Sequence, residues 1–92
     1  MHVTIRLFAR LREMAGASEV QRTLADGSSV RTAWESLVGE FPGFDDYSRA
    51  VSCAVNEEYA RMTTPLSDGD EVAFLPPVSG GSLEREKGKG KR

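Results

Sequence analysis

The sequence has 92 residues, of which 39% are apolar and 28% charged, and its formal net charge is −2. This length allows one hydrophobic core, and this composition is typical of a globular domain rather than a disordered chain. No apolar run approaches the roughly 20 residues that a membrane-crossing helix needs, and the start lacks the apolar region of a signal peptide. The single Cys53 cannot form an internal disulfide, so we expect a protein of the reducing cytoplasm with no membrane partner.

The charge divides between a body and a tail. Residues 1–81 carry seven arginines and twelve acids, a net charge of −5, whereas every lysine lies within residues 82–92, which carry +3. Basic tails attract nucleic acid, but this one has no aromatic side chain on which a base could stack, so we expect no nucleic-acid partner. We interpret residues 82–92 as a solvated, disordered end that follows one domain over residues 1–81.

Alternating apolar and polar residues predict a first strand over residues 2–8. The core face of this strand is formed by Val3, Ile5 and Leu7. Phe8 lies on the opposite face at the strand's end, where an aromatic side chain is unexpected. Residues 9–15 predict one or two helical turns closed by Gly16, and residues 19–24 predict a short strand that pairs with the first as a hairpin.

The clearest local pattern is one amphipathic helix. Its apolar stripe recurs at helical spacing and consists of Val30, Ala33, Trp34, Leu37, Val38 and Phe41. Ser29 can cap the start of the helix, and Pro42 ends it. Trp34 is large and central, so we interpret it as the keystone of the core rather than as a ligand platform.

No metal site is predicted. Residues 43–49 read as a loop that holds two adjacent acids, Asp45 and Asp46, with no nearby histidine or third acid. The only histidine, His2, lies near the terminus without a second ligand at metal spacing, and we interpret it as solvated. Residues 51–55 alternate again and predict a strand in which Cys53 is a buried, unreactive thiol.

The end of the chain combines a predicted strand with a segment of mostly small side chains. Residues 56–58 predict a turn into a short strand at residues 59–61, and residues 67–70 predict a second turn. Residues 71–75 then predict the last strand, with Val72 and Phe74 on one face. Two prolines end it, and the four residues that follow have very small side chains apart from the first: Val78, Ser79, Gly80 and Gly81. Because glycine lacks Cβ, such a strip can thread a channel too narrow for other residues.

One helix can cover only one face of a sheet, so the order of elements predicts an α+β fold. We expect the helix to pack across a mixed sheet of about four to five strands. The first and last strands carry the most inward apolar side chains, and we place them side by side at the centre. This is the ubiquitin-like β-grasp arrangement. The chain has no nucleophile beside a base and no phosphate-binding loop, which makes it poorly equipped to be an enzyme alone.

Three stretches closely resemble the MoaD family, the small sulfur-carrying subunits of molybdopterin synthase, which are related to ThiS-like sulfur carriers. They are FARLREMAG at residues 8–16, AVN at residues 54–56 and LSDGDEVAFLPPVSGG at residues 66–81. The resemblance covers residues 3–81 and implies the same β-grasp fold. In that family the second glycine is normally the last residue, whereas eleven residues follow Gly81 here.

The resemblance also implies a function and its site. The terminal carboxylate, here that of Gly81, would be adenylated with ATP by an E1-like (MoeB-like) enzyme, converted to a thiocarboxylate, and used to pass sulfur to a cyclic pyranopterin. Gly80, Ser79 and Val78 would thread the channel of the large, MoaE-like catalytic subunit. Phe8, Tyr59 and Leu75 lie where family members place partner-facing hydrophobic residues. No cofactor would be bound by the chain itself, and the chain would be a non-catalytic carrier.

Because Gly81 is followed by Ser82, a protease would first have to remove residues 82–92. Two alternatives remain open. The chain could carry sulfur for another product, such as thiamine, cysteine or thiolated tRNA, or it could be a ubiquitin-like modifier or plain binding module.

Overall fold

The computed structural model describes residues 1–77 of the chain. Its elements are β1 (His2–Leu7), α1 (Ala9–Ala15), β2 (Glu19–Thr23), α2 (Val30–Glu40), a 3-10 helix (Pro42–Tyr47), β3 (Ser52–Val55), β4 (Glu58–Ala60) and β5 (Glu71–Leu75). Neither α1 nor α2 is long and apolar enough to cross a bilayer. The predicted channel strip, residues 78–81, and the predicted tail, residues 82–92, lie outside the described residues.

The five strands form one sheet in the order β2-β1-β5-β3-β4. β1 and β5 are parallel neighbours, with Thr4 opposite Glu71 and Leu7 opposite Phe74, and the other three pairings are antiparallel. The predicted mixed sheet with the first and last strands at its centre is therefore confirmed. β5 lies in the middle of the sheet, so the chain beyond Leu75 leaves from the most enclosed strand.

The core lies between one face of the sheet and the helices. Its buried members are Val3, Ile5, Leu7, Leu11, Val30, Ala33, Trp34, Leu37, Phe44, Cys53, Leu66, Val72 and Phe74. Trp34 is its aromatic centre, with ring centroids 5.0 Å from Phe74 and 5.5 Å from Phe44. The indole Nε1–H donates to Ser48 Oγ at 2.8 Å, so the one polar atom of this buried ring is paired. The interpretation of Trp34 as the keystone agrees with this position.

The interpretation of residues 43–49 as a loop is wrong. Pro42–Tyr47 forms a 3-10 helix that begins with proline, whose fixed φ suits a first helical turn. Phe44 is fully buried, and its ring stacks on Phe41 as well as on Trp34. The segment therefore closes one end of the core rather than covering it from outside.

The boundaries of α2 agree with the predicted cap and stop. Ser29 is the N-cap, and its backbone N–H donates to Thr32 Oγ1 at 3.3 Å, the reciprocal bond of a capping box. The helix ends at Glu40, two residues before Pro42. Arg22 fastens the helix to β2, since its guanidinium donates to Ser36 Oγ at 3.3 Å and to the Glu40 carboxylate.

A two-residue turn joins β3 to β4 and fixes their place against β5. Asn56 and Glu57 have φ values of 52° and 72°, as a type I′ hairpin turn requires. The Asn56 side chain accepts from the Glu71 N–H and donates to Asp70, each at 3.0 Å. Asn56 thereby ties the hairpin to the start of the central strand.

Candidate docking site at the exit of the central strand

The helices cover one face of the sheet and leave the other face open over the described residues. Strand register places one row of side chains across this open face: Glu19, Arg6, Ala73, Ala54 and Tyr59. The two alanines lie in the middle of the row and are half-buried. Because alanine projects so little, the centre of the open face is a shallow floor on which another surface can lie.

Phe8 and Leu75 flank the point at which the chain leaves the sheet. Each directly follows a member of the fully buried pair formed by Leu7 and Phe74, and strand alternation turns it towards the open face. Each side chain is 37% exposed. Pro76 and Pro77 come next and cannot extend the hydrogen-bond ladder through their nitrogens. Two apolar side chains therefore border the base of the exit.

Tyr59 lies on the same face at the far edge of the sheet. It belongs to the edge strand β4, is 91% exposed, and pairs in register with Ala54. Three strand spacings separate it from Arg6 in the row, or roughly 14 Å. The structure thus brings the three predicted partner-facing residues to one face, with Phe8 and Leu75 at the exit and Tyr59 at the margin. The predicted site residues 78–81 lie outside the described part of the chain.

An uncommon backbone conformation supports the position of Phe8. Ala9 has φ of 50°, in the left-handed region that costs a residue with a Cβ of order 1 kcal/mol. Phe8 itself is extended, with φ −126° and ψ 154°, so the chain turns sharply between the end of β1 and α1. No residue pattern signals this turn, because alanine, unlike glycine, is not a residue that positive φ normally selects.

Arg6 is a feature of the open face that sequence reasoning missed. Its Nη1 donates to Glu71 Oε2 at 2.9 Å, and its guanidinium carbon lies 5.9 Å from the centre of the Phe8 ring. The hydrogen bond and negative charge of Glu71 raise the pKa of Arg6, so the guanidinium remains charged. Arg6 and Phe8 are two residues apart and share a face of the strand predicted over residues 2–8, a signal that was available in the sequence. The partner, Glu71, follows only from the register.

Two kinds of reactive group bear on the chemistry of the described residues, a metal centre and an activated thiol. Within residues 1–77, no three His, Cys, Asp or Glu side chains come together as a metal site would require. Cys53 is buried, its Sγ donates to the Ala60 carbonyl at 3.3 Å, and burial raises the pKa of its thiol. It is therefore a thiol rather than a nucleophilic thiolate at neutral pH, as its predicted role requires.

The sheet order, the single long helix and the central exit strand define a ubiquitin-like β-grasp domain. The ThiS family model matches residues 5–81, and the chain belongs to this family. It is 36% identical over 83 residues to the molybdopterin synthase sulfur carrier subunit of Chlamydomonas reinhardtii, a match that covers 88% of this chain and all of that relative. The family resemblance found in the sequence is confirmed.

Two solved structures place the fold more closely. SAMP1 from Haloferax volcanii superposes with a TM-score of 0.76 at 32% identity, over 88% of this chain and all of the other. The protein–protein complex of subunits 1 and 2 of the molybdopterin-converting factor from Helicobacter pylori contains a similar chain, with a TM-score of 0.61 at 26% identity, over 88% of this chain and all of that one. The second structure shows that a similar domain assembles with a partner subunit.

Proposed function

We propose that this chain is the sulfur-carrier subunit of molybdopterin synthase. The observation that carries the proposal is the pair Phe8 and Leu75, exposed apolar residues that border the exit of the central strand towards Gly80 and Gly81. Curated relatives with this name, which match most of the chain, support it.

The open face would dock the large catalytic subunit. Apolar side chains that cluster on an exposed surface mark interaction sites, and aromatic residues are enriched in protein interfaces. The shallow floor of Ala54 and Ala73 lets a partner approach the sheet closely between Tyr59 and the exit. With the face docked, Val78, Ser79 and Gly80 would enter the partner's channel and present Gly81 to its active site.

The chemistry requires a free carboxylate at Gly81. A carboxylate oxygen attacks the α-phosphorus of ATP in an E1-like enzyme, pyrophosphate leaves, and an acyl-adenylate forms. A donor of sulfide-level sulfur then displaces AMP to give a thiocarboxylate. When this sulfur passes to a cyclic pyranopterin, water supplies the oxygen that restores the carboxylate. The carbonyl of Gly81 is in a peptide bond to Ser82 in the encoded chain, so cleavage after Gly81 must come first.

Pyrophosphate exchange tests this proposal. The full chain and a form ending at Gly81 are incubated with ATP, labelled pyrophosphate and the E1-like enzyme of the same organism. We expect exchange with the shortened form alone, because an amide carbonyl lacks the nucleophilic oxygen and the extra residues would have to pass the adenylation pocket.

Mass spectrometry before and after the incubation shows whether residues 82–92 remain attached. Equal exchange by the uncut chain would contradict the need for cleavage. If neither form supports exchange while the enzyme is active on another carrier, the chain is not a substrate for adenylation, and the carrier function is overturned.

The similarity to SAMP1, a small archaeal modifier protein, favours a second candidate, a ubiquitin-like modifier. In that case Gly81 would end in an isopeptide bond to a lysine of another protein. Intact mass of the chain from its native host distinguishes the two functions. A carrier ends at Gly81 with sulfur in place of one carboxylate oxygen, whereas a modifier appears joined to target proteins.

A further inference from the structure

One ion pair lies on the open face beside the exit, and its placement suggests a role in docking. We propose that Arg6 is a positioning residue of the docking surface, which holds the Phe8 ring at the exit and enters the interface as a charge matched by Glu71. This inference rests on the proposed function, since it needs the large subunit as the docking partner.

The contacts of Arg6 connect the two residues that it would coordinate. One guanidinium nitrogen is bonded to Glu71 at 2.9 Å, and the guanidinium lies within cation–π distance of Phe8 at 5.9 Å. The Arg6 and Glu71 side chains are 43% and 36% exposed, so a partner that covers Phe8 also removes water from the pair. The ring and the ion pair therefore form one continuous surface.

The surroundings of Arg6 match its charge. Among the open-face residues of the five strands, Arg6 is the sole arginine or lysine. Glu19 lies directly opposite it in register, and Glu57 also acts on it through space. The hydrogen bond to Glu71 limits the freedom of the guanidinium and keeps it over the Phe8 ring.

The energetic consequences differ between folding and docking. An ion pair that water reaches contributes little to folding. When a partner covers the surface, the same pair loses its water. Burial of the matched pair changes the binding free energy little, whereas burial of one charge without its partner weakens binding strongly. Changes at Arg6 or Glu71 should therefore affect the dissociation constant far more than the unfolding midpoint.

Two mutant cycles measured by titration calorimetry test the proposal. The titrant is the large molybdopterin synthase subunit of the same organism, and each variant is made in the full chain and in the form ending at Gly81. We expect Glu71→Gln and Arg6→Met each to raise the dissociation constant about tenfold. If the two effects were independent, their fold-changes in the dissociation constant would multiply in the double variant. We expect the dissociation constant of the double variant to be at least about tenfold lower than that product, because no unpaired charge is then buried.

The second cycle tests the contact with the ring. In a Phe8→Ala background, Arg6→Met should weaken docking by about threefold rather than tenfold, because the ring that Arg6 supports is already absent and only the cost of the unpaired Glu71 carboxylate remains. Arg6→Lys keeps the charge without the planar group that lies over the ring, so we expect an intermediate loss.

Arg22→Met is the matched control. Arg22 is also paired with a glutamate, Glu40, but it links β2 to α2 away from the open face. The same substitution there should lower the urea unfolding midpoint and leave docking unchanged, the reverse of the effect at Arg6.

The outcomes separate the two proposals. If the unmodified chain ending at Gly81 does not bind the large subunit, the proposed function and this inference both fail. If it binds and Phe8→Ala weakens it, while Arg6→Met and Glu71→Gln bind as the unmodified chain does, only this inference is overturned. It is also overturned if the Arg6 variants lose docking only in proportion to lost stability.

Discussion

Phe74 and Leu75 are consecutive residues of β5 in opposite surroundings. Phe74 faces the helices, is fully buried, and packs against Trp34, whereas Leu75 faces the open side and is partly exposed beside the exit. β1 repeats this division, with Val3, Ile5 and Leu7 buried and the residues between them less so. Residues that stabilise the fold and residues available to a partner are therefore separated by one step along the chain.

The polar groups of the two faces differ in the same way. On the covered face, the Trp34 indole is paired with Ser48 inside the domain. On the open face, the Arg6 and Glu71 pair remains within reach of water. Changes on the covered face should therefore appear in unfolding experiments, and changes on the open face in binding experiments.

Truncation of Trp34 should give the largest effect, a loss of stability from the covered face of the sheet. We expect Trp34→Ala to lower the free energy of unfolding by about 3–5 kcal/mol, because it leaves a cavity between α2, the 3-10 helix and β5. Urea unfolding followed by circular dichroism measures this. A loss below about 1 kcal/mol would contradict the central packing of the ring.

Leu75→Glu should instead weaken binding through the open face. The domain should stay folded, and docking to the large subunit should weaken by about 2 kcal/mol or more, because a carboxylate would replace an apolar anchor at the exit. Titration calorimetry measures the affinity. Ala50→Glu adds the same charge at an exposed position after the 3-10 helix and serves as the control. Equal affinity of the Leu75 variant and the unmodified chain would remove Leu75 from the interface.

Ser48→Ala tests the one polar contact of the Trp34 ring. It removes the acceptor of the buried indole N–H, and we expect the free energy of unfolding to fall by about 1–3 kcal/mol. Ser52→Ala, on the open face, should change it by about 0.5 kcal/mol or less. Both are measured by urea unfolding. Similar losses at the two serines would show that the hydrogen bond of the indole adds nothing measurable to the free energy of unfolding.

The smallest expected effect concerns the hairpin turn. Glu57 has φ of 72°, which glycine adopts without strain, so Glu57→Gly should raise the free energy of unfolding by about 0.5–1 kcal/mol. The same change one residue later, Glu58→Gly, lies in β4 and should lower it by a similar amount. The thermal unfolding midpoints of both variants test this. A loss of stability at position 57 would mean that the Glu57 side chain matters more than its backbone strain.

Much of the fold follows from patterns within single elements. The stripe around Trp34 predicts α2, and the alternation in β1 and β5 predicts both the core face and the outward direction of Phe8 and Leu75. These predictions succeed because the spacing of apolar residues within a single helix or strand shows which of its faces is buried. The exit after β5 is also visible, since two prolines mark it.

Other features depend on contacts between distant residues. Phe44 has no periodic neighbours, and its burial arises only because the 3-10 helix folds back over Trp34. The partner of Arg6 is 65 residues away, and only the parallel register brings Glu71 to it. The place of Tyr59 on the open face likewise depends on its pairing with Ala54 rather than on its own surroundings in the sequence.

The parallel pairing of β1 and β5 has a mechanical consequence. The two strands run in the same direction, so the start of β1 and the end of β5 lie at opposite ends of the sheet. A force applied between these points slides the strands along each other and loads their hydrogen bonds together, whereas a force across the β3 and β4 hairpin would open bonds in turn. We expect force spectroscopy to show a higher unfolding force for the first geometry than for the second. A force applied by a partner to the end of β5 would therefore act along the direction in which the domain resists unfolding most. The partner could pull on the chain beyond Leu75 without unfolding the domain.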